Sequence, residues 1–264
     1  MIKKLRLSII VVSLNTKDLF LKTIKSIDSQ TYKNYEIIVV DGCSEDGTID
    51  IIKKLKKKFS KVIIEKDKGI YDAMNKGSNI SSGEWTMFLN SGDTFCNKKV
   101  VSNIFKNPLT KKDIIYGNTL VRYKNIKYLV PCSTFSNKTY LMPFCHQSTI
   151  VKTNIIKKNK FSLKYRCSSD FNFFLKCFLR KKIFFNSNLI IATTLAKGLS
   201  DNNRQKVYKE NIEILKKYNY SFFIISNLWL LRLYNLIKDY FKFILSDFLI
   251  LLVLRFKYLK YIRH

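Results

Sequence analysis

One acid of this chain stands where a buried strand is expected to end. Residues 85–89 are apolar on both faces, which predicts a covered central strand, and this run stops at Asn90-Ser91-Gly92-Asp93. In open α/β sheets, ligands bind beyond the carboxyl ends of the strands. Asp93 is therefore expected where the protein holds a metal ion or a phosphate-bearing substrate.

A second acid, Asp170, precedes a run with the composition of an apolar helix, residues 171–179. Downstream of Asp113 acids are rare, and the others are Asp201, Glu210, Glu213, Asp239 and Asp247. On the residues alone, the preferred role of Asp170 is that of a helix N-cap, because aspartate accepts hydrogen bonds from the free N–H groups there. His146 is one of two histidines, and a histidine that stands alone more often has a structural role.

The elements that position these side chains alternate along the first half of the chain. Strands are predicted at residues 7–13, 35–40, 62–64 and 85–89, and helices at 19–29, at 49–59 and between the last two strands. This alternation predicts an α/β fold with a doubly wound, mostly parallel sheet. The ends of its strands then bring residues 13–15, 41–44 and 90–93 to one edge.

The predicted edge lacks both common phosphate-binding fingerprints, G-x-G-x-x-G and G-x-x-x-x-G-K-S/T. Asp41, after the second strand, is suited to accept hydrogen bonds from a base or a ribose. A carboxylate after the fourth strand is suited to hold a divalent cation against a diphosphate.

Beyond residue 110 the pattern is less regular. A strand is predicted at residues 113–118, and a closing pair of strands at 183–185 and 189–192. We expect one catalytic domain over residues 1–205, with a nucleotide-binding half of about 1–110 and an acceptor half of about 111–205. Residues 206–264 are expected to form a helical, basic and aromatic tail.

The composition is that of a folded and strongly basic protein. Its 264 residues are 47% hydrophobic, and its formal net charge is +29. Such a charge indicates a polyanionic partner, either nucleic acid or an anionic membrane surface, although lysines also serve as a solvated surface. The six cysteines form no C-x-x-C pair, which, with the lack of a signal-peptide pattern, favours a reducing cytoplasm.

The tail contains no uncharged run of the ~18 residues that a membrane-spanning helix requires. Its amphipathic, basic and aromatic helices suit attachment in the plane of an anionic membrane. The alternative is that they pack on the catalytic domain or on a second subunit, as in a homodimer. The aromatic residues are not interleaved with arginine, which argues against nucleic acid as the partner.

Three segments together resemble inverting nucleotide-sugar glycosyltransferases of family 2, whose fold is called GT-A. They are SIIVVSLN at residues 8–15, SQTYKNYEIIVVDGCSEDGT at 29–48 and DKGIYDAMNKGSNISSGEW at 67–85. FLNSGD at residues 88–93 falls where that family carries its metal-binding D-x-D, and it resembles the NSGD branch, which includes colanic-acid-type transferases. The resemblance extends to about residue 205.

The resemblance implies a role for each matching position. Asp93 is similar to the acid of the metal site, which implies a dependence on Mg²⁺ or Mn²⁺, and Asn90-Ser91-Gly92 stands where many relatives have Asp-x-Asp. Asp170 lies in a segment similar to the one that carries the family's general base, which takes the acceptor proton. His146 is implied to contact the metal or the diphosphate. The other implied donor-binding residues are Ser13, Asn15, Asp41, Asp67, Lys68, Gly69, Asp72, Asn90, Ser91, Gly92, Lys197 and Ser200.

The resemblance predicts an enzyme that moves a sugar from a nucleoside-diphosphate donor, UDP ahead of GDP, to a lipid-linked glycan in surface polysaccharide biosynthesis. Its expected place is the cytoplasm, on the inner face of the cytoplasmic membrane. One alternative is a basic protein that binds nucleic acid or membranes without enzymatic activity. Another is a different nucleotide-using α/β transferase, against which the missing glycine-rich loop counts.

Overall fold

The computed structural model describes residues 6–106, 109–196, 198–242, 252 and 262–263. The strands of the first half are β1 (Leu7–Ser13), β2 (Tyr35–Asp41), β3 (Lys61–Ile64) and β4 (Trp85–Phe88). The helices between them are α1 (Lys17–Asp28), α2 (Thr48–Lys54) and α3 (Ile70–Ile80). The four strands are parallel, in the order β3-β2-β1-β4, so the predicted α/β fold is confirmed.

The central strands β1 and β2 have apolar middles, residues 9–12 and 37–40, because both faces of the sheet are covered there. In β1, Ile10 packs into one core layer and Ile9 into the layer on the opposite face. Ser13 at the end of β1 is paired in register with Asp41 at the end of β2. The loops that follow these two strands therefore leave the sheet side by side.

The second half continues the sheet with strands of mixed direction. Its elements are β5 (Thr94–Phe95), α4 (Val100–Phe105), β6 (Ile114–Tyr123), β7 (Ile126–Val130), β8 (Thr149–Lys152), α5 (Thr153–Asn159), α6 (Ser169–Leu179) and β9 (Phe184–Leu195). β8 lies between β4 and β6 and is antiparallel to both, and β7 follows β6 on the outer side. β9 runs parallel to β6 and antiparallel to β5. A short strand, β10 (Ile262–Arg263), pairs with β7.

β9 is one strand, so the predicted pair of strands at 183–185 and 189–192 is wrong. The polar residues between them form a bulge, in which Asn188 has φ +56° and the Ser187 hydroxyl donates a hydrogen bond of 2.9 Å to the carbonyl of Tyr116. A side chain at Gly117 would approach the Leu189 carbonyl to 2.4 Å, so glycine is required on the facing strand. The predicted helix 49–59 is also shorter and ends at Lys54.

Three helices follow β9: α7 (Leu199–Asn202), α8 (Arg204–Lys217) and α9 (Phe222–Lys242). α8 is part of the packed body, since Ile214 and Leu215 lie in the same core cluster as α6. These contacts join α8 to the packed body. No helix in the described ranges has the length and apolar character needed to cross a membrane.

α9 differs from α8 in what it exposes. Leu228 is fully buried against the body, but much of the remaining apolar surface of the helix faces outward. The large exposed side chains are Phe222, Phe223, Trp229, Leu230, Leu233, Tyr234, Leu236 and Ile237. One side of the helix, with Leu228 and Asn235, is covered, and the other side exposes these apolar side chains.

Candidate active site

The end of β4 turns sharply at Asn90-Ser91-Gly92-Asp93. The Asp93 N–H donates a hydrogen bond of 2.9 Å to the Asn90 carbonyl, and Gly92 has φ +101°, a conformation that favours glycine. Thr23 on α1 holds the turn, because its hydroxyl donates to the Asp93 carbonyl at 2.8 Å and accepts from the Gly92 N–H at 2.9 Å. The turn is therefore fixed by helix and strand together.

The Asp93 side chain is directed into the protein and only 8% of the residue is exposed. Burial raises the pKa of this carboxyl to about 7, and the nearby His146 and a hydrogen bond from Gln147 oppose the rise. A buried carboxylate of this kind is stabilised by a cation that shares the site.

Asp170 lies in the first turn of α6, where Ser168, not Asp170, is the N-cap residue. The Tyr71 hydroxyl donates to Asp170 Oδ1 at 3.0 Å, and His146 Nδ1 lies 3.1 Å from Asp170 Oδ2. Burial, followed by the charge of Asp170, raises the pKa of Tyr71 well above its usual value, which keeps the hydroxyl protonated as a donor. Each carboxylate oxygen of Asp170 thus has a side-chain partner.

His146 connects this acid to the turn after β4. Its Nε2 atom lies 3.5 Å from Asn90 Nδ2, on the side of the ring opposite to Asp170. The resulting order of contacts is Asn90, His146, Asp170 and Tyr71. Residues that are far apart in the sequence are therefore brought to one edge of the sheet.

Two oxygen donors at this turn could take part in holding a divalent cation whose shell substrate phosphates complete. Asp93 supplies a carboxylate, and Asn90 Oδ1 is a buried acceptor with no hydrogen-bond partner in the described structure. No cluster of three or more His, Cys, Asp or Glu side chains in the described ranges could hold a metal ion by itself. Mg²⁺ and Mn²⁺ accept a small number of protein oxygens when substrate phosphates complete the shell, so these residues fit such an ion.

The first two loops are linked to each other and to the turn after β4. Ser13 Oγ lies 3.2 Å from Thr16 Oγ1, whose hydroxyl donates to Ser91 Oγ at 2.8 Å. Asn15 receives the Glu45 N–H at 2.7 Å. The three loops expected to line the donor pocket therefore form one connected network.

Asp41 is fully buried. Its two carboxylate oxygens accept hydrogen bonds of 2.7 Å from the N–H and the hydroxyl of Ser44. In this conformation the carboxylate stabilises the loop after β2. The contact of Asp41 with a base or ribose stays a prediction.

The loop before α3 carries Asp67, Lys68, Gly69 and Asp72. The Gly69 N–H donates to Asp67 at 2.8 Å, and the Lys68 N–H donates to Asp72 at 3.0 Å. A Cβ atom placed on Gly42 would lie 2.7 Å from an Asp67 oxygen, so Asp67 closely approaches the loop after β2. Of the remaining expected residues, Ser200 is exposed in α7 and Lys197 lies outside the described residues.

Two residues that contact this region were not singled out from the sequence. Tyr71 is one, and it had no sequence signal beyond its place near the start of α3. Glu210 on α8 is the other: it is 7% exposed and accepts the N–H groups of Arg166, Cys167 and Ser168 at 3.0, 2.9 and 2.9 Å. It thereby holds the segment that leads into α6 and Asp170. The sequence feature that could have identified Glu210 is an acid on the otherwise apolar face of an amphipathic helix.

This chain is similar to known proteins in both sequence and fold. The model of the family described as "Glycosyl transferase family 2" matches residues 8–185. The UDP-Glc:alpha-D-GlcNAc-diphosphoundecaprenol beta-1,3-glucosyltransferase WfaP of Escherichia coli is 32% identical over 193 residues, which cover 69% of this chain and 74% of WfaP. A PGL/p-HBAD biosynthesis glycosyltransferase of Mycobacterium bovis is 27% identical over 177 residues, covering 65% of this chain and 69% of the relative.

Two solved structures share the fold. Staphylococcus aureus TarS (residues 1-349) in complex with UDP-GlcNAc superimposes with a TM-score of 0.64 at 19% identity, covering 85% of this chain and 71% of TarS. The mannosyltransferase PcManGT from Pyrobaculum calidifontis, in complex with GDP-Man and Mn²⁺, gives 0.63 at 13% identity, covering 82% of this chain and 65% of PcManGT. The chain therefore belongs to glycosyl transferase family 2 and is a glycosyltransferase with the GT-A fold.

Proposed function

We propose that this glycosyltransferase transfers a sugar, with inversion, from a nucleoside-diphosphate sugar to a lipid-linked glycan in the synthesis of a bacterial surface polysaccharide. The observation that carries the proposal is the position of Asp170. Its carboxylate is held by Tyr71 and His146, and the same histidine reaches Asn90 in the turn that bears Asp93. A proton acceptor and a site for a leaving diphosphate thus lie next to each other.

On the donor side, the loops after β1 and β2 and the segment 67–72 would enclose the nucleotide and the sugar. Asp93, with Asn90 Oδ1 and His146, would hold Mg²⁺ or Mn²⁺. When bound, this ion neutralises the charge that develops on the departing diphosphate. UDP is our first candidate and GDP the second, since the two structural neighbours were solved with UDP-GlcNAc and with GDP-Man and Mn²⁺.

On the acceptor side, Asp170 would act as the general base. The acceptor hydroxyl gives its proton to the carboxylate while its oxygen forms the new bond to the anomeric carbon. The bond from that carbon to the diphosphate oxygen breaks on the opposite face, which inverts the configuration. The hydrogen bonds from Tyr71 and His146 would fix the direction of the carboxylate and so favour the reactive geometry.

The proposed acceptor is lipid-linked because of α9 and of the relative WfaP. The name of WfaP gives its acceptor as a sugar on diphosphoundecaprenol. The exposed aromatic and aliphatic side chains of α9, in a chain of net charge +29, suit the inner surface of an anionic membrane. These features support a location at the cytoplasmic face of the membrane and a role in the polysaccharide branch that the NSGD turn resembles.

The test is a donor screen. Hydrolysis and thermal stabilisation are measured with UDP-, GDP- and dTDP-sugars, each with and without Mn²⁺, for the wild type and for Asp93→Asn. The proposal expects a response to one nucleotide that Mn²⁺ enhances and that Asp93→Asn loses. A wild type that responds to no donor, with or without added lipid, would count against the proposal.

A further inference from the structure

A cavity of about 460 Å³ opens between the start of α3 and the segment that precedes α6. Its lining includes Tyr71 and Leu163, together with the basic residues Lys68, Arg166 and Lys206. This volume lies within the range of about 300–1,000 Å³ that is usual for sites of small ligands.

The charge around the cavity is positive. Of the lining residues only Asp72 is acidic, and its carboxylate already accepts the Lys68 N–H and lies 3.4 Å from the ammonium group of Lys76. Burial and then the charge of Glu210 raise the pKa of the Cys167 thiol in the cavity wall, and the charges of Lys206 and Arg166 oppose this rise. Cations gathered around a concave site attract an anionic ligand.

The cavity borders the proposed base. Tyr71 lines the cavity and donates its hydroxyl hydrogen bond to Asp170 at 3.0 Å. The other oxygen of Asp170 faces His146, which reaches Asn90 in the turn that bears Asp93. A general base must come within hydrogen-bond reach of the hydroxyl whose proton it takes, so a cavity next to Asp170 suits the acceptor.

The helix α8 links the cavity to α9. Arg204 Nη1 donates to Asn235 Oδ1, on the covered side of α9, at 3.5 Å, and Arg232 Nε donates to Gln205 Oε1 at 3.4 Å. These bonds hold the beginning of α8, which carries Lys206 of the cavity wall, against α9.

We propose that this cavity binds the diphosphate group of a lipid-linked acceptor, with Arg166 and Lys206 as the charged contacts. The assignment rests on the proposed function, since it takes Asp170 as the base and Asp93 as the side of the leaving group. A diphosphate recognised here places the first sugar of the acceptor beside Tyr71 and Asp170. The cavity thus selects acceptors that carry a diphosphate over neutral glycans.

The test compares two double variants that remove the same charge from the same segments. Arg166→Gln with Lys206→Gln removes two cations from the cavity. Lys164→Gln with Lys209→Gln removes two exposed cations that are not part of its lining. Farnesyl diphosphate serves as the probe for a lipid diphosphate and UDP as the probe for the donor, with both affinities measured by calorimetry on the full chain.

We expect the cavity variant to bind farnesyl diphosphate at least about tenfold more weakly than the wild type, because each charged hydrogen bond is worth about tenfold in affinity. Its affinity for UDP should change by less than about twofold, and the control variant should match the wild type for both probes. An equal loss in the control variant, or no loss in the cavity variant, would overturn the assignment. A loss of affinity for UDP alone would also overturn it, because the cavity would then bind the donor.

The two proposals can fail separately. A wild type that binds a donor nucleotide but no farnesyl diphosphate contradicts the cavity assignment and leaves the proposed function intact. A wild type that binds farnesyl diphosphate but neither binds nor hydrolyses any nucleotide sugar contradicts the proposed function. Thermal unfolding of each variant shows whether a lost affinity reflects a lost fold.

Discussion

Two buried glutamates, Glu36 and Glu210, anchor different regions of the molecule with nearly the same hydrogen-bonding chemistry. Glu36, near the start of β2, accepts hydrogen bonds from the Ser8 hydroxyl at 2.6 Å, the Ser82 N–H at 2.6 Å and the Gly83 N–H at 3.0 Å. Glu210 on α8 accepts three backbone N–H groups from residues 166–168. Each carboxylate ties together segments that are distant in the sequence.

The difference lies in what each glutamate holds. Glu36 ties β1, β2 and the turn before β4 at the amino ends of the strands, away from the candidate site. Glu210 ties the segment that leads directly into Asp170. The same kind of anchor is thus expected to support stability in one region and the geometry of a reacting group in the other.

The largest effect is expected at Asp170, which follows the segment that Glu210 holds. Asp170→Asn should lower kcat by about 10²–10⁴-fold, because the amide cannot take a proton, while the KM for the donor changes little. The measurement is steady-state transfer together with donor binding. An Asp170→Asn variant that keeps a tenth of the wild-type kcat would show that another group is the base.

Glu210→Gln tests whether this anchor acts on catalysis. The amide keeps one acceptor oxygen but presents N–H groups to backbone donors, so the segment 166–168 should shift. We expect kcat to fall by about 10–100-fold, since small displacements of a reacting group cost about this much, with donor affinity retained. Comparing kcat with KM, and both with the midpoint of thermal unfolding, distinguishes positioning from plain destabilisation.

The result that would break the comparison is a Glu210→Gln variant with normal kcat and a lower unfolding temperature. Glu210→Asp is a useful second variant, because it keeps the negative charge on a side chain that is one methylene group shorter. Partial recovery of kcat in that variant would support positioning by the carboxylate.

Glu36→Gln should affect stability and leave kcat at 25 °C unchanged. Burial raises the pKa of Glu36, but the hydrogen bonds from Ser8, Ser82 and Gly83 outweigh it and leave the pKa below its usual value. Replacing a buried charged acceptor should lower the free energy of unfolding by about 2 kcal/mol, as measured by denaturant titration.

The pH dependence of that stability follows from the direction of the shift. Because the folded pKa is lower than the unfolded one, the contribution of Glu36 is complete above pH about 4.3 and is lost as the pH falls through the folded value. The stability gap between wild type and Glu36→Gln should therefore shrink on acidification below pH about 4. A gap that grows instead would contradict this account.

The smallest effect is expected for Tyr71→Phe. It removes one hydrogen bond to Asp170 and leaves the ring, which packs 5.5 Å from that of Phe161 between centroids. We expect a fall in kcat of about three- to tenfold, measured under the same conditions as Asp170→Asn. The matched control is Tyr220→Phe, because the Tyr220 hydroxyl is buried and has no hydrogen-bond partner within the described structure.

The sequence predicted the parallel half well because its signals are local. The runs that form β1 and β2 are long, apolar and β-branched, and each is followed by polar loop residues at the site edge. Asp93 could be placed for the same reason. The NSGD turn needs only its own residues and the strand before it.

The acceptor half was harder to predict because its contacts are distant in the sequence. Asn186-Ser187-Asn188 reads as a turn, and only the pairing of β9 with β6 makes it a bulge. Tyr71 lies 99 positions from Asp170, and Glu210 lies 42 positions from Ser168. No local pattern connects such residues, so their roles depend on the packing of α3, α6 and α8.

The chain has two tryptophans, which the fold places in very different surroundings. Trp85 in β4 is 3% exposed, whereas Trp229 on α9 is 49% exposed. Their fluorescence therefore separates two processes. With Trp229→Phe, the remaining emission follows the unfolding of the sheet. With Trp85→Phe, the emission wavelength and its quenching by iodide follow the transfer of α9 from water to a lipid vesicle, without any attached dye.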